Sequence, residues 1–274
     1  MKYITYNQNT GGRSGHKLND IFSTYILSFL IRDLEVHAHP SWQNQALFKF
    51  DFDKTVDYSQ IIEIESKESR NEGMTFDCFR KIKNKIESAP NESLIMLGGT
   101  TRILPMQLTS WFNDGLIKEN LFFTKFLPMI RSMYGAHNQR EAINCLSVHA
   151  RRGDVADPQN KAYWRFWSAD YIDSKIKLFR SQHPNLEINI FSEKENSEDL
   201  SILTKYKNLN LHLGDENTLK DDINFMVNSK FFMLSNSNLP IWISLISKNT
   251  IIIPSDKDIK FFKNFEHPNP VIFL

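Results

Sequence analysis

Short apolar strands alternate regularly with helices in the second half of this chain, and this alternation constrains the fold more than any other feature. Strands are predicted at 145–150, 187–192, 231–235 and 250–253. Helices are predicted at 169–182, 196–206, 219–229 and 239–247. Strands that are separated by helices and joined by short loops lie parallel in one sheet. The second half is therefore predicted to be an α/β domain.

The first half contains similar elements in a less regular order. Strands are predicted at 2–6 and 94–97, and the ranges 36–52 and 61–65 also look strand-like. Helices are predicted at about 16–33, at 76–86, and at 107–134 with a break near Pro128. A chain of 274 residues more naturally forms two domains than one. We place the boundary near residue 140, which gives domains 1–140 and 141–274.

A charged sequence, His149-Ala150-Arg151-Arg152-Gly153-Asp154, follows the buried strand of the second half. Ligands of open α/β sheets bind at the carboxyl ends of strands. Guanidinium groups bind phosphate oxygens through two parallel hydrogen bonds and stay charged at any working pH. Gly153 allows the backbone to turn, and Asp154 is placed to hold one arginine. Two adjacent arginines alone are better explained by a surface turn with ion pairs, but their position after a strand favours an anion site.

A second candidate is the turn that contains Gly11, Gly12 and Gly15 and leads into the first helix. Glycines allow a close backbone approach, and the free N–H groups of a helix N-terminus attract phosphate. The spacing matches neither the dinucleotide fingerprint nor the phosphate loop of nucleoside triphosphatases. A plain tight connection explains the glycines equally well. His16 and Lys17 favour a phosphate ligand, although His16 could equally be an exposed first-turn residue.

A third candidate is the polar turn 235–238, between a predicted strand and a predicted helix. Ser237 or Asn238 can cap that helix, with Pro240 in its first turn, and capping alone would explain the turn. Capping and ligand binding are compatible, because the same helix end offers donors to a phosphate. Ser192 closes a neighbouring strand and is expected on the same rim.

Composition argues against several other classes of protein. The net charge of +1 gives no support to a nucleic-acid partner or an anionic membrane. Cys78 and Cys145 are too few for a disulfide framework and lack metal-site spacing. No apolar run reaches the ~20 residues of a membrane helix, and the first residues lack a signal-peptide pattern. We expect a soluble, cytoplasmic protein without an integral membrane segment.

Together these residues resemble the fucosyltransferase superfamily. The sequence from His149 to Asp154 fits the HxRRxD motif of that superfamily in full. In the α-1,2-fucosyltransferases a strand ending in FS(D/E) follows, and residues 191–193 are similar to it. The GGxGNQL turn that opens those enzymes is similar to residues 12–18. A later motif of those enzymes is matched in register by Asp222, Met226, Lys230, Asn236, Ser237 and Trp242.

The resemblance implies a GT-B architecture, in which two Rossmann-like domains face each other and the second binds most of the nucleotide sugar. It implies inverting transfer of fucose from GDP-fucose to a glycan hydroxyl, without a metal or other cofactor. By motif position, Arg151 would contact the β-phosphate of the departing GDP. Arg152 and His149 would support the nucleotide or the loop. The other residues implied to hold the donor are Gly12, Gly15, His16, Lys17, Ser192, Asp222, Asn236 and Ser237.

Departures from the motifs leave alternatives open. The family's Asn-Gln pair is His16-Lys17 here, which changes how the donor is held or indicates another donor. No motif assigns the catalytic base, and Asp154 and Asp157 are the nearest carboxylates. The chain could instead be a transferase for another nucleotide sugar, or a nucleotide- or glycan-binding protein without catalysis.

Two further features have a structural and a functional interpretation. The sequence Asp51-Phe52-Asp53 looks like the metal-binding DxD of another glycosyltransferase class, but a charged turn explains it better. Trp111, Trp164 and Trp167 could stack on sugar rings, but buried packing is the better interpretation for each. The acceptor surface is implied to lie in the first domain, where no glycan site can be identified.

Overall fold

The structure is a computed structural model, and it describes ten ranges of the chain. These are residues 1–6, 14–38, 57–64, 74–98, 103, 107–138, 142–160, 163–214, 219–254 and 267–274. Only the backbone is described at 14–17, 109, 119, 135–138, 154 and 164. The chain divides into two compact units, Met1–His137 and Asn138–Leu274. Each unit contains a parallel sheet with helices, so the predicted α/β class is confirmed.

A parallel sheet, four-stranded in the described residues, organises the first unit. Its strands in chain order are β1 (Lys2–Tyr6), β2 (Leu34–Val36), β3 (Gln60–Ile64) and β4 (Ser93–Leu97). The order across the sheet is β2-β1-β4-β3, which places β1 and β4 in the centre. Ile4 and Ile95 are opposite each other and fully buried. Helices α1 (Ser14–Leu30) and α2 (Phe76–Ser88) follow β1 and β3, as predicted.

The helical region of the first unit differs from its prediction. It consists of α3 (Leu108–Asn113), α4 (Glu119–Leu121), a π-helical turn (Phe122–Phe126) and α5 (Leu127–Asn138). The chain turns at Gly115, which has a φ of +69°, and the predicted break at Pro128 is wrong. Pro128 lies in the first turn of α5, where the backbone N–H that proline lacks is not needed for a hydrogen bond within the helix. The Leu127 N–H donates to the carbonyl of Phe122, five residues back. Because of this wider turn, the helix continues through the proline without a break.

The predicted strand over 36–52 can be compared with the structure only at residues 36–38. β2 pairs with β1 over three residues, from Leu34 to Val36, and His37 and Ala38 are not part of a strand. Residues 39–52 lie outside the described residues, and so do Gly11, Gly12 and Asp53.

A six-stranded parallel sheet organises the second unit. Its strands are β5 (Ile143–Ala150), β6 (Glu187–Glu193), β7 (Leu209–Gly214), β8 (Ser229–Met233), β9 (Thr250–Ile253) and β10 (Val271–Phe273). Their order across the sheet is β10-β9-β8-β5-β6-β7. The chain moves outward from β5 to β7, returns to the other side of β5 as β8, and moves outward again to β10. This is the 3-2-1-4-5-6 order of a Rossmann sheet, and the direction reverses between β5 and β8.

The helices of the second unit follow the prediction closely. They are α6 (Ala169–Gln182), α7 (Leu219–Asn228) and α8 (Asn238–Ile246). The segment predicted as a helix at 196–206 is a 3-10 helix, Glu198–Lys205. All nine residues of α8 are buried, because this helix follows a central strand and packs inside the unit. Strands β7 and β10 were not predicted; each is an edge strand. Within the described residues, no helix combines the length and the apolar character that crossing a bilayer requires.

Candidate functional site

Three polar segments meet at the carboxyl edge of the second sheet, around the place where the strand order reverses. His149 ends β5, and Arg151 and Arg152 follow it; Ser192 and Glu193 end β6. Ser235 follows β8 on the other side of β5. The register places Ala150 opposite Ser192 and Val148 opposite Met233, so the three segments leave the sheet at one level. Ligands of Rossmann sheets bind in the crevice at this point.

His149 and Ser235 join the two sides of this crevice. Nδ1 of His149 lies 2.7 Å from Oγ of Ser235, and the histidine is 6% exposed. Burial lowers the pKa of His149 to about 4; Arg151 and Arg152 act in the same direction, and Glu193 opposes them. The imidazole is therefore neutral at neutral pH, and it supports the turn after β8 without adding a positive charge.

Arg152 is buried completely and braces the loop after β5. Its Nε and Nη2 donate to the two carboxylate oxygens of Asp199, at 3.2 and 3.0 Å, and its Nη1 donates to the carbonyl of Arg151 at 3.0 Å. The guanidinium carbon lies 4.5 Å from the ring centroid of Phe166. Burial lowers the pKa of Arg152, and the charge and hydrogen bonds of Asp199 oppose this effect. These contacts favour the loop-supporting alternative for Arg152.

Arg151 points to a more open position than its neighbour. Its side chain is 17% exposed, and its Nη1 donates to Glu193 Oε1. The other oxygen of Glu193 accepts the backbone N–H of Arg152 at 2.8 Å. One carboxylate thus fixes both the guanidinium of Arg151 and the backbone of the next residue. Asp154 was expected to hold an arginine; its side chain lies outside the described part, and the described partners of the two arginines are Glu193 and Asp199.

The loops after β5 and β6 are also joined through their backbones. Gly153 has a φ of +65°, which favours glycine, and its N–H donates to the carbonyl of Glu195 at 3.2 Å. Nδ2 of Asn196 donates to the Gly153 carbonyl at 3.0 Å. A side chain at Gly153 would strain this turn, so a glycine at this position has a local structural reason.

The turn after β8 presents polar groups that are not paired within the described residues. Ser237 occupies the N-cap position of α8, but its hydroxyl makes no capping bond, and Asn236 beside it is also partly exposed. Oγ of Ser192 and Oδ1 of Asn238 are buried without a described hydrogen-bond partner. Buried polar atoms are normally paired. The Ser192 hydroxyl and the N–H groups at the start of α8 can donate hydrogen bonds to an anionic ligand, whereas Oδ1 of Asn238 can only accept one from a donor group of the ligand.

The charges at the site balance. Arg151 is paired with Glu193 and Arg152 with Asp199, so two positive and two negative groups lie together. Strong attraction of a diphosphate therefore cannot come from these four groups as a set. In the described part of this edge, the groups that can attract an anion include the exposed part of Arg151 and the N–H groups at the start of α8, which carry partial positive charge.

The other residues that were predicted to hold the donor lie outside these three segments or cannot be placed. Asp222 lies in the first turn of α7, partly exposed, on the helix that follows β7 at the outer edge of the sheet. Gly15 lies in the first turn of α1 in the other unit. The side chains of His16 and Lys17 lie outside the described part, as does Gly12. The convergence of Gly15 with Arg151 stays a prediction.

The structure adds one residue to the site and gives the surroundings of other candidates that the sequence offered. Asp199 was missed, because an acidic residue in the first turn of a helix has an ordinary explanation. Asp157 is exposed, and its Oδ1 accepts the N–H of Gln159 at 2.9 Å. Trp111 and Trp167 are buried, as predicted. The described residues contain no group of three side chains that could hold a metal ion, and Asp51 and Asp53 lie outside them.

Comparison with known proteins gives structural neighbours alone. Neither a protein-family model nor a curated protein matches the chain. Two crystal structures of POFUT1 in complex with GDP align with 99% of this chain and 98% of theirs, at 9% identity. The TM-scores are 0.49 and 0.44. A TM-score below 0.5 does not establish a common fold, so the fold assignment rests on the two sheets themselves.

Proposed function

We propose that this chain is an inverting, metal-independent glycosyltransferase of GT-B architecture that transfers fucose from GDP-fucose to a glycan hydroxyl. One observation carries the proposal. The HxRRxD loop and the polar turn after β8 flank the crevice of a Rossmann sheet, and the His149–Ser235 hydrogen bond joins them. Nucleotide diphosphates bind at this position of such sheets, and the motif at this position is the one that resembles fucosyltransferases.

In the proposed reaction, an oxygen of the acceptor attacks the anomeric carbon from the face opposite GDP. The bond from that carbon to the β-phosphate oxygen breaks, and GDP leaves with the electron pair. Negative charge therefore grows on the diphosphate while the sugar becomes oxocarbenium-like. Donors that are already aimed at this charge stabilise the transition state most. Arg151 and the start of α8 are the donors that lie at the crevice.

The other residues of the site have supporting roles in this proposal. Arg152 and His149 hold the loop and the turn in place, because both are buried and already hydrogen-bonded. Glu193 orients the Arg151 guanidinium before the donor arrives, which reduces the reorganisation needed during the reaction. Asn236, Ser237 and Ser192 would bind the nucleotide, with Asp222 further out along the sheet edge. Asp154 and Asp157 are the candidates for the carboxylate that takes the acceptor proton.

Calorimetry tests donor binding and the role of metal. We expect GDP to bind the protein with equal affinity in the presence and absence of a chelator. A donor screen with GDP-fucose, GDP-mannose and UDP-glucose, read by release of the nucleoside diphosphate, then identifies the sugar. Loss of GDP binding on chelation would contradict metal independence, and preference for UDP-glucose would contradict the proposed donor.

A binding protein without catalysis is the second candidate, and the pairing of both arginines with carboxylates favours it. A guanidinium whose charge is offset stabilises the negative charge of a leaving group less, whereas the N–H groups at the start of α8 can still bind a phosphate. The same screen separates the two functions. A binding protein would retain GDP affinity and release no GDP from any donor, with or without a glycan.

A further inference from the structure

The connection between β5 and α6 is unusually long for a Rossmann sheet. It covers residues 151–168 and contains two short 3-10 turns, Gly153–Ala156 and Tyr163–Arg165. Loops between strands and helices in such sheets commonly have about 2–6 residues, and much longer ones in compact domains are usually functional. Asp199 fixes this loop at both ends, because it accepts hydrogen bonds from Arg152 and from the Ala169 N–H at 2.9 Å.

The loop carries three flat groups in a stack. The rings of Tyr163 and Phe166 are nearly parallel, with an angle of 11° and 5.5 Å between centroids. The guanidinium of Arg152 lies against the Phe166 ring, 4.5 Å from its centroid. Exposure rises outward through the stack, from 0% for the Arg152 side chain to 39% for Tyr163. The outermost ring is therefore accessible to solvent, while the innermost member is fixed by an ion pair.

Backbone hydrogen bonds fix the segment that carries the two rings, and the rings pack on each other. The N–H of Tyr163 donates to the Asn160 carbonyl at 2.9 Å, and the N–H of Phe166 donates to the Tyr163 carbonyl at 2.8 Å. A ring that is already fixed loses little conformational entropy when a ligand stacks on it. The stack thus forms a binding surface that is anchored on Arg152, the residue next to Arg151.

We propose that the exposed Tyr163 side chain binds a pyranose ring of the glycan acceptor, in the second unit and not in the first domain where the resemblance implies the acceptor surface. The inference rests on the proposed function, which requires such an acceptor near Arg151. One face of a pyranose presents C–H groups that pack against an aromatic ring, and its rim presents hydroxyls. Asp157 and Gln159 are exposed in the same loop, and their carboxylate and amide groups can hydrogen-bond to those hydroxyls. Aromatic surfaces with a few polar groups beside them are typical of small-ligand sites.

Saturation-transfer NMR on the full chain tests this site with three probes: the methyl β-pyranosides of galactose, glucose and N-acetylglucosamine. The variants are Tyr163→Ala, Tyr163→Phe and Phe273→Ala. Phe273 is the matched control, because it is an aromatic residue of the same unit, 63% exposed, on the edge strand β10. The thermal shift caused by GDP is recorded for each variant, as a separate measure of the nucleotide site.

We expect at least one pyranoside to receive saturation at the C–H groups of one ring face in the wild type. Tyr163→Ala should weaken its binding by about fivefold, whereas Tyr163→Phe and Phe273→Ala should not change it. The GDP-induced thermal shift should be the same in all four proteins.

Persistent saturation in Tyr163→Ala, or no saturation in the wild type, would overturn the acceptor site. Loss of the GDP shift in Tyr163→Ala would assign the ring to the nucleotide and overturn it too. Absence of any GDP shift in the wild type would instead contradict the proposed function.

Discussion

The hydrogen bond between His149 and Ser235, 2.7 Å long, joins the ends of the two strands between which the Rossmann sheet reverses its order. β5 and β8 are far apart in sequence and adjacent in the sheet, so no local interaction fixes the relative position of their following loops. The buried histidine does so. Because its ring is neutral, His149 adds no positive charge to the crevice. Arg151, which is partly exposed, is a cationic group described there. The geometry of the site thus depends on a residue that need not touch the ligand.

The two arginines should respond differently to substitution by lysine. Arg151→Lys keeps the charge but removes the bidentate fork, so turnover of the donor should fall about a hundredfold or more while GDP affinity changes little. Arg152→Lys should instead lower the free energy of unfolding by about 2 kcal/mol, because a lysine cannot reproduce the two bonds to Asp199. Steady-state kinetics and urea denaturation of both variants measure these effects. Near-normal turnover in Arg151→Lys would show that this residue is structural.

Glu193 should act as a positioning residue for Arg151. Glu193→Gln keeps an oxygen for the Arg152 N–H but removes the negative charge that orients the guanidinium. We expect GDP to bind equally well or more tightly, because a carboxylate near the diphosphate is gone, while kcat falls roughly tenfold. Glu195→Gln is the matched control, because Glu195 is exposed and lies two residues further along. If kcat and GDP affinity fell together, the carboxylate would merely hold the loop in shape.

Much of the second unit could be predicted from the sequence. Its strands are buried on both faces, so they appear as short apolar runs that end in polar turns, as the sequence from 143 to 154 does. Edge strands carry a weaker signal, because one side of the strand has no partner and fewer apolar residues are needed. That is why β7 and β10 were missed.

The positions of the site residues were predicted from the sequence, but the residues that they contact were not. The rule that ligands bind beyond strand ends led to Arg151 and Ser237, since it depends on topology alone. The pairing of Arg152 with Asp199 depends on how a 3-10 helix after β6 packs beside α6, and no local pattern indicates such a contact. Sequence reasoning left open whether Arg152 supports the nucleotide or the loop. The structure shows that Arg152 is buried and already bound.

Stability should fall as the pH decreases from about 6.5 to 4, because of His149. Its pKa in the folded protein, about 4, is below the ordinary value of 6.5, so the unfolded chain binds a proton more readily in this range. The loss is at most about 3 kcal/mol. His149→Gln should flatten this part of the profile of unfolding free energy against pH. Ser235→Ala should lower stability at every pH but keep the slope, because it removes the hydrogen bond and leaves the imidazole buried. An unchanged slope in His149→Gln would show that protonation of His149 does not cause this loss of stability.

A separate acid-sensitive contribution should come from Asp173 on α6. Its carboxylate accepts hydrogen bonds from Tyr206 at 2.5 Å and Lys205 at 3.0 Å, and Lys177 lies 2.8 Å away. Burial alone would raise the pKa of Asp173, but these three partners outweigh burial and lower it to about 2. Because the folded-state pKa lies below the unfolded one, the stabilisation is complete above pH 4 and is lost as the pH falls towards 2. Both lysines are largely exposed, so we expect a contribution of about 1–2 kcal/mol.

Urea denaturation of wild type and Asp173→Asn should show a constant difference in the free energy of unfolding above pH 4, and this difference should shrink below pH 4. Glu195→Gln, an exposed position in the same unit, should show no such change. A difference between wild type and Asp173→Asn that stays constant down to pH 2.5 would mean that packing, and not the charge of Asp173, stabilises this part of the unit.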